Sequence, residues 1–306
     1  MPVINTGLLT KGLRSEFFNR FNDMPTHYQD LTTHIRSNAD RETYRWLGNL
    51  PGMREWGTGR VARGLGTESY SVENLKYEST LEVDRDEIAD DKTGQIRLRI
   101  SALAQRAASH KDYLISRLLA NGEGTGFTSY DGMPFFSDDH ESGSSGTQGN
   151  RIDSPAAEPE HATTEEFKRA MKAAIATLTG FRDDQGEPMA ISPTGLIAVV
   201  PTSLYLTALE AVNASTIDST TNVLNGFARV IPFPWLNVNT RWYLLKNDGV
   251  IRPFIFQDRE PVEFTALIDD SDEGFRREKY LYGVRARYRL VYGYWQYAVR
   301  INFVTP

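Results

Sequence analysis

Residues 95–121 read QIRLRISALAQRAASHKDYLISRLLAN, and this stretch decides the fold. Apolar side chains recur along it at the spacing of one helical face, at Ile96, Ile100, Leu103, Ala107, Leu114 and Leu118. Gly122 follows, where the helix is expected to stop. About 26 residues at 1.5 Å each give a helix of roughly 39 Å, longer than a compact domain usually needs. We therefore expect a scaffold helix on which other elements pack.

A β-strand is predicted just before this helix, because residues 74–84 alternate strictly between the Leu75, Tyr77, Leu81 face and a charged face. Residues 54–61 are expected to pair with it across a glycine-rich tip. A two-stranded hairpin is marginal in water on its own. The hairpin therefore needs the rest of the chain, or another copy, to lie against.

Downstream, strand and helix signals alternate, which is typical of a mixed α/β domain. Residues 137–162 are rich in Gly, Ser, Asp and Glu and are predicted to form an exposed loop. Thr163 and Glu166 form a capping box for a second helix. A buried strand is predicted over 196–200, followed by a helix over 202–213 whose inward residues are Leu206, Leu209 and Val212.

The last 75 residues favour strands, and the final run changes its pattern at Gly293. Tyrosines and aliphatic residues of one parity precede this glycine, and apolar residues of the other parity follow it, which predicts a bulge or bend. Arg285, Arg287 and Arg289 lie opposite the tyrosine face. Two interpretations stay open for them: contact with acidic groups of a neighbouring subunit or with nucleic acid, and pairing with acids in their own sheet.

Composition excludes several classes of protein. The chain has 306 residues, no cysteine and a formal charge of −6, so disulfides, thiolate metal sites and cysteine nucleophiles are absent. An acidic chain is not built to grip nucleic acid through a basic surface. No apolar run approaches the ~20 residues of a membrane span, and we expect neither membrane insertion nor Sec export. The length predicts roughly two domains.

Catalytic motifs are weak. Asp138, Asp139 and His140, with His161 nearby, carry metal-ligating side chains, but they lie in the predicted loop without a recognised ligand spacing. A solvated loop is the preferred interpretation. No Gly-x-Ser-x-Gly or Gly-Lys-Ser/Thr motif occurs. The acidic run over 82–91 is interpreted as a solvated turn ahead of the long helix.

Several segments together resemble one family, the Mu-like phage major head subunits (the T protein), which have the HK97-type major capsid fold. The segments are WLGNLPGMREWGTGR (46–60), EVDRDEIADDKTG (82–94), YDGMPFFSDDH (130–140), VLNGFARVIPFPWL (223–236), RPFIFQDREP (252–261) and YGVRARYRLVYGYWQYA (282–298). They cover nearly the whole chain in family order.

The resemblance implies an α+β fold, the HK97-like major capsid fold, with defined parts. These are an N-terminal arm (1–41), an extended hairpin loop (42–82), a peripheral domain (83–162) with the spine helix 95–121, an axial α/β domain (163–265), and return strands to the peripheral sheet (266–306). A hairpin that cannot stand alone, and an aromatic arm, are then expected to be buried by neighbouring subunits.

The implied function is that of a virion shell subunit without catalysis or cofactor, assembled in the host bacterial cytoplasm. The implied partners are further copies in hexamers and pentamers, a separate scaffold/protease protein, a portal protein and non-specifically held double-stranded DNA, with a decoration protein left open. Candidate intersubunit contacts are Trp46, Arg54, Trp56, Arg60, Arg285 and Arg287. An encapsulin-like nanocompartment is the alternative within this fold, and a metal-dependent hydrolase using Asp138 to His140 is the alternative outside it.

Overall fold

The computed structural model describes residues 6–48, 70–90, 94–217, 219–269 and 271–306. The helices are α1 (Thr6–Asp23), α2 (Tyr28–Leu31), α3 (Arg85–Asp90), α4 (Gln95–Asn121), α5 (Thr164–Gly180), α6 (Tyr205–Asn213) and α7 (Asp272–Arg277). The strands are β1 (Thr32–Arg36), β2 (Arg41–Tyr44), β3 (Tyr70–Glu73), β4 (Leu75–Asp84), β5 (Arg151–Pro155), β6 (Leu196–Val200), β7 (Thr216–Ile217), β8 (Thr220–Thr221), β9 (Ala228–Pro232), β10 (Arg241–Lys246), β11 (Phe254–Leu267), β12 (Lys279–Tyr292) and β13 (Ala298–Val304).

One of the two larger sheets has four strands in the order β1-β11-β12-β4 and packs against α4 and α1. β1 runs parallel to β11, and the other neighbours are antiparallel. The N-terminal helix α1 belongs to this core, because Phe17 is fully buried with its ring 5.2 Å from that of Phe264. The aromatic arm, expected to be buried by neighbours, is therefore largely buried by its own chain.

The other larger sheet has five strands in the order β5-β13-β10-β6-β9, with α5 and α6 packed against it. Every residue of β6 is buried, as predicted. Phe167 of α5 stacks on Trp242 of β10 at 4.5 Å between ring centroids. The predicted capping box is observed at the start of α5, where Thr163 accepts the backbone N–H of Glu166 and the Glu166 carboxylate accepts that of Thr163.

The long helix is observed with the predicted bounds, but its buried face differs from the predicted stripe. Beyond Ile100 the buried residues follow a four-residue spacing through Ala104 and Ala108, and continue to Ile115 and Leu119. Leu103, Ala107, Leu114 and Leu118 are only half-buried. Small alanines let the helix approach its neighbours on one side, so the larger apolar residues lie at the margin of the contact.

For the same reason, the prediction for one residue of α6 is wrong. Leu206, predicted to point inward, is 73% exposed, whereas Leu204, Ala208 and Ala211 are fully buried. The small side chains again occupy the face towards the sheet.

The predicted strand before α4 is observed as β4, and it pairs antiparallel with β12 from Tyr288↔Leu75 to Lys279↔Asp84. The predicted partner, residues 54–61, lies outside the described residues. β2 and β3 form a separate two-stranded ribbon, in which Arg41 faces Glu73 and Tyr44 faces Tyr70.

The chain bends at Gly293, as predicted. Its backbone N–H donates to the Pro253 carbonyl at 2.8 Å, and a Cβ there would lie 3.0 Å from the carbonyl oxygens of Arg252 and Pro253. A 3-10 turn over Trp295–Tyr297 then leads into β13. The final strands consequently divide: β12 lies in the sheet beside α4, whereas β13 lies in the five-stranded sheet instead of returning to the first.

The prediction of an exposed loop over residues 137–162 is wrong. β5 forms an edge of the five-stranded sheet, and Asn150, just before it, is fully buried. The Asn150 side chain accepts the Ser137 backbone N–H at 2.9 Å and donates to the Phe135 carbonyl at 2.8 Å. Internal hydrogen bonds of this kind offset the desolvation of polar side chains, which composition alone does not reveal.

Candidate functional site

Trp46 is the only predicted aromatic contact residue within the described ranges, and it packs on its own chain. The indole is half-buried, with ring centroids 5.8 Å from Tyr294 and 6.3 Å from Tyr44. The Tyr294 hydroxyl donates to the Trp46 carbonyl at 3.0 Å. Arg54, Trp56 and Arg60 lie outside the described residues. A contact between subunits through these four residues stays a prediction.

Arg285 and Arg287 face acidic side chains of their own chain. Arg287 donates to Glu260 at 2.8 Å and to Asp40 at 3.2 Å. Arg285 lies 2.7 Å from Glu260. The Arg287 hydrogen bond is the main cause that lowers the pKa of the Glu260 carboxyl. Pairing within the sheet, one of the two interpretations, is therefore observed, while Arg285 retains exposed surface for a second partner.

Two of the residues considered for a metal site, His140 and Asp138, have structural roles instead, whereas Asp139 and His161 are exposed. His140 is fully buried, and its ring stacks on Trp295 with centroids 4.1 Å apart. Its Nδ1 lies 2.6 Å from an Asp131 carboxylate oxygen. Asp138 is paired with Arg151. Across the described ranges, no group of three or more His, Cys, Asp or Glu side chains could hold a metal ion.

Two of the segments singled out in the sequence, 130–140 and 282–298, contact each other. Tyr130 hydrogen-bonds Gln296 at 3.0 Å, and Phe135 stacks on Tyr292 at 4.2 Å. The stretch over 130–140 therefore fastens the turn that carries the chain from one sheet to the other.

A cluster of opposite charges connects the end of α4 to the five-stranded sheet. Glu123 lies 2.7 Å from Arg241 of β10, 3.0 Å from Arg300 of β13 and 3.8 Å from Arg151 of β5. Arg300 is almost fully buried and also contacts Asp153 at 3.2 Å. Acidic side chains of the same chain pair with the arginines of this cluster. We therefore interpret the cluster as a structural connection between the end of α4 and the five-stranded sheet.

Sequence reasoning missed Asp131, Glu123 and Asp112. Asp112 lies in α4 and is buried, and both of its carboxylate oxygens accept the backbone N–H of His27, at 3.1 and 3.0 Å. None of these acids is apolar, so none was part of the hydrophobic patterns from which the elements were predicted. In addition, no helix among the described residues is long and apolar enough to span a bilayer.

Known proteins are similar to this chain in sequence and in fold. The pattern of the family described as Mu-like prophage major head subunit gpT matches residues 7–165, 160–236 and 237–302. The Mu-like prophage FluMu major head subunit of Haemophilus influenzae is 24% identical over 295 residues, 95% of this chain and 72% of the relative. The major capsid protein of Escherichia phage Mu is 26% identical over 292 residues, 94% and 70% of the two chains.

Solved capsid structures have the same fold. The chain superposes on the procapsid of bacteriophage JBD30 with a TM-score of 0.56 and 24% identity, covering 98% of this chain and 76% of that one. The JBD30 capsid decorated with minor capsid protein trimers gives a TM-score of 0.53 and 24% identity, covering 77% and 100%. Because the family pattern extends over almost all of the sequence, the chain belongs to the Mu-like prophage major head subunit gpT family.

Proposed function

We propose that this chain, a major capsid protein that forms the head shell of a Mu-like tailed phage, assembles as hexamers and pentamers into an icosahedral shell around double-stranded DNA. The observation that carries the proposal is the family match over residues 7–302 together with a capsid fold. The family consists of structural subunits and not enzymes. The His140 contacts, which are all internal, agree with this role.

Trp46, Arg54, Trp56, Arg60, Arg285 and Arg287 are the contact residues that we propose between subunits. Support comes from the partial exposure of Trp46 and Arg285 in the single chain and from the energetic weight that tryptophan and arginine carry in interfaces. Arg285 is expected to contribute more than Arg287, because both are paired with Glu260 but the Arg285 side chain is 45% exposed and that of Arg287 only 17%.

Further partners follow from the shell role. We propose a separate scaffold/protease protein and a portal protein, and a decoration protein in view of the minor capsid protein trimers on the JBD30 capsid. Contact with packaged DNA is proposed to be non-specific. A net charge of −6 supports a container that holds DNA without gripping it.

Assembly itself is the test. The purified protein is examined by negative-stain electron microscopy and by size-exclusion chromatography with light scattering, with and without the scaffold protein encoded beside it. Closed shells, tubes or discrete rings are expected. A chain that stays monomeric or dimeric even with scaffold would contradict the proposal. Shells that take up a partner enzyme and no DNA would favour a nanocompartment.

A further inference from the structure

The half-buried face of α4 is the strongest unexplained feature of the subunit. Leu103, Ala107, Leu114 and Leu118 leave apolar surface uncovered on this face. Within the single chain, this surface borders a groove between α4 and the strands β4 and β12. Exposed apolar surface of this kind marks sites where another molecule packs.

The groove consists of two adjoining cavities, of about 200 Å³ and about 470 Å³, that share Tyr77 and His110. The smaller cavity has an apolar floor formed by Leu103, Val262 and Ala286. The larger one continues along α4 past Leu114 and Leu118, and along β12 to Tyr292. Such a groove is long enough to take more than one side chain.

We call this groove the α4 groove. Its rim is basic. Arg106, Arg117 and Arg289 line it, and no ion pair among the described residues engages any of the three. Arg285 also lines it but is paired with Glu260, and Glu78 is the one acidic side chain among the described residues that line it. An apolar floor with basic side chains at its edge favours an apolar side chain flanked by acids.

The chain itself carries such a segment at the far end of the four-stranded sheet. Phe275 of α7 is 87% exposed, and Leu267, at the end of β11, is half exposed. The surrounding residues 269–278 contain five acidic side chains against two arginines, a net charge of −3. This exposed phenylalanine with its acidic neighbours has the complementary chemistry to the groove.

Residues 269–278 cannot reach the α4 groove of their own subunit. α7 ends directly before β12, whereas the middle of the groove lies at Tyr288. Tyr288 lies nine positions along the strand from Lys279, a distance of about 30 Å at ~3.3 Å per residue. A contact between Phe275 and the α4 groove therefore joins two different copies of the chain. A head-to-tail contact of this type closes into rings when the rotation permits.

We propose that Phe275 of one subunit inserts into the α4 groove of a second copy in the assembled shell. The inference rests on the proposed shell function and assigns one of its contacts. Acidic side chains around Phe275 then lie near Arg106, Arg117 and Arg289 of the neighbour.

Engineered thiols test this contact, because the chain has no cysteine of its own. Phe275→Cys is combined with Ser79→Cys, an exposed position on the groove wall. Assembled particles are treated with a short bis-maleimide and run on a denaturing gel, where a ladder of linked subunits is expected. The matched control combines Phe275→Cys with Leu206→Cys on α6, and Phe275→Cys alone is a second control.

Particles that give no ladder with Ser79→Cys, or an equal ladder with either control, would overturn the contact while leaving the shell function intact. Failure of the unmodified chain to assemble would instead remove the proposed function.

If the cysteine pair prevents assembly, a second variant tests the contact between Phe275 and the α4 groove. Phe275→Ala is expected to reduce particle yield at least tenfold with an unchanged circular dichroism spectrum and melting temperature, whereas Leu206→Ala keeps the normal yield. Normal particle yield from Phe275→Ala would refute the proposal.

Discussion

Buried polar side chains of this subunit fasten segments that are distant in sequence. Asp112 is the clearest case, because its carboxylate holds the turn that follows α1 through the backbone N–H of His27. Burial is the main cause that raises the pKa of this carboxyl, and the hydrogen bonds oppose it. The loss of this acceptor would leave a buried donor unsatisfied.

We expect Asp112→Ala to lower the free energy of unfolding by about 1–3 kcal/mol, the usual penalty for a buried donor without a partner. Urea denaturation measures this loss of free energy of unfolding. Asp112→Asn keeps one acceptor oxygen and should cost less than Asp112→Ala. Equal losses for the two variants would show that the hydrogen bond is not the cause.

Glu166 provides a pH-dependent contribution. Backbone N–H groups of Thr163 and Ala157 lower the pKa of its carboxyl. A lowered folded-state pKa stabilises the protein above the unfolded value of about 4.3, and this stabilisation disappears as the pH falls through the folded-state value. The wild type should therefore be more stable than Glu166→Gln at pH 7, and the difference should shrink below about pH 4. Melting temperatures between pH 3 and pH 7 measure it, and a constant difference would contradict it.

Sequence reasoning identified the residue types at this scale but not their partners. His140 carries a ligand-type side chain, yet its role comes from Asp131 and Trp295, and the indole lies 155 positions further along the chain. No local spacing encodes such a stack. The capping box was predictable because both of its members lie within one helical turn.

At the level of elements, Gly122 ends α4 for a reason other than backbone conformation. Its φ of −62° is available to any residue, but a Cβ would lie 2.6 Å from the ring of Phe136. The glycine allows the core phenylalanine to approach the end of the helix.

Gly122→Ala is expected to lower the free energy of unfolding by about 1–3 kcal/mol through overpacking. Gly12→Ala in α1 serves as the control, because a Cβ there has no neighbour within 4 Å. Alanine is the better helix former, so this control should gain about 0.5–1 kcal/mol. Thermal or urea unfolding distinguishes the two, and a neutral Gly122→Ala would exclude the steric explanation.

Elements with strong local periodicity were predictable, and those defined by distant pairing were not. The period of 3.6 located α4, and the period of two located β4 and the tyrosine face of β12. β5 has no such signal, because its five residues gain strand structure from β13. Which of the two faces of α4 is buried likewise depends on the size of the side chains that pack against it.

For the whole molecule, the Glu123 cluster controls how the scaffold helix meets the five-stranded sheet. Glu123→Ala removes the shared partner of three arginines, of which Arg300 is almost fully buried. Arg241 then loses Glu123 as a partner, and the almost fully buried Arg300 is left with Asp153, so we expect a loss of about 3 kcal/mol. Glu165→Ala, at a carboxylate that is 63% exposed, should cost less than about 1 kcal/mol. Urea denaturation of both variants provides the comparison, and similar losses would contradict the role of Glu123.

The overall class of fold and the shell function followed from the family resemblance, whereas the division of strands between sheets did not. Gly293 indicated a bend, but whether β13 stays beside β12 or joins β10 depends on contacts outside the local sequence.

The strand order also determines when this subunit can fold. β13 lies between β5 and β10, so β5 stays separated from the rest of the five-stranded sheet until β13 is in place. Thr32 of β1 pairs with Phe254, and Arg151 of β5 pairs with Arg300. Such long loop closures are characteristic of proteins that fold in milliseconds to seconds. The five-stranded sheet is therefore completed only once β13 has been synthesised, and a nascent chain that stops before β13 presents open sheet edges on which aggregation begins.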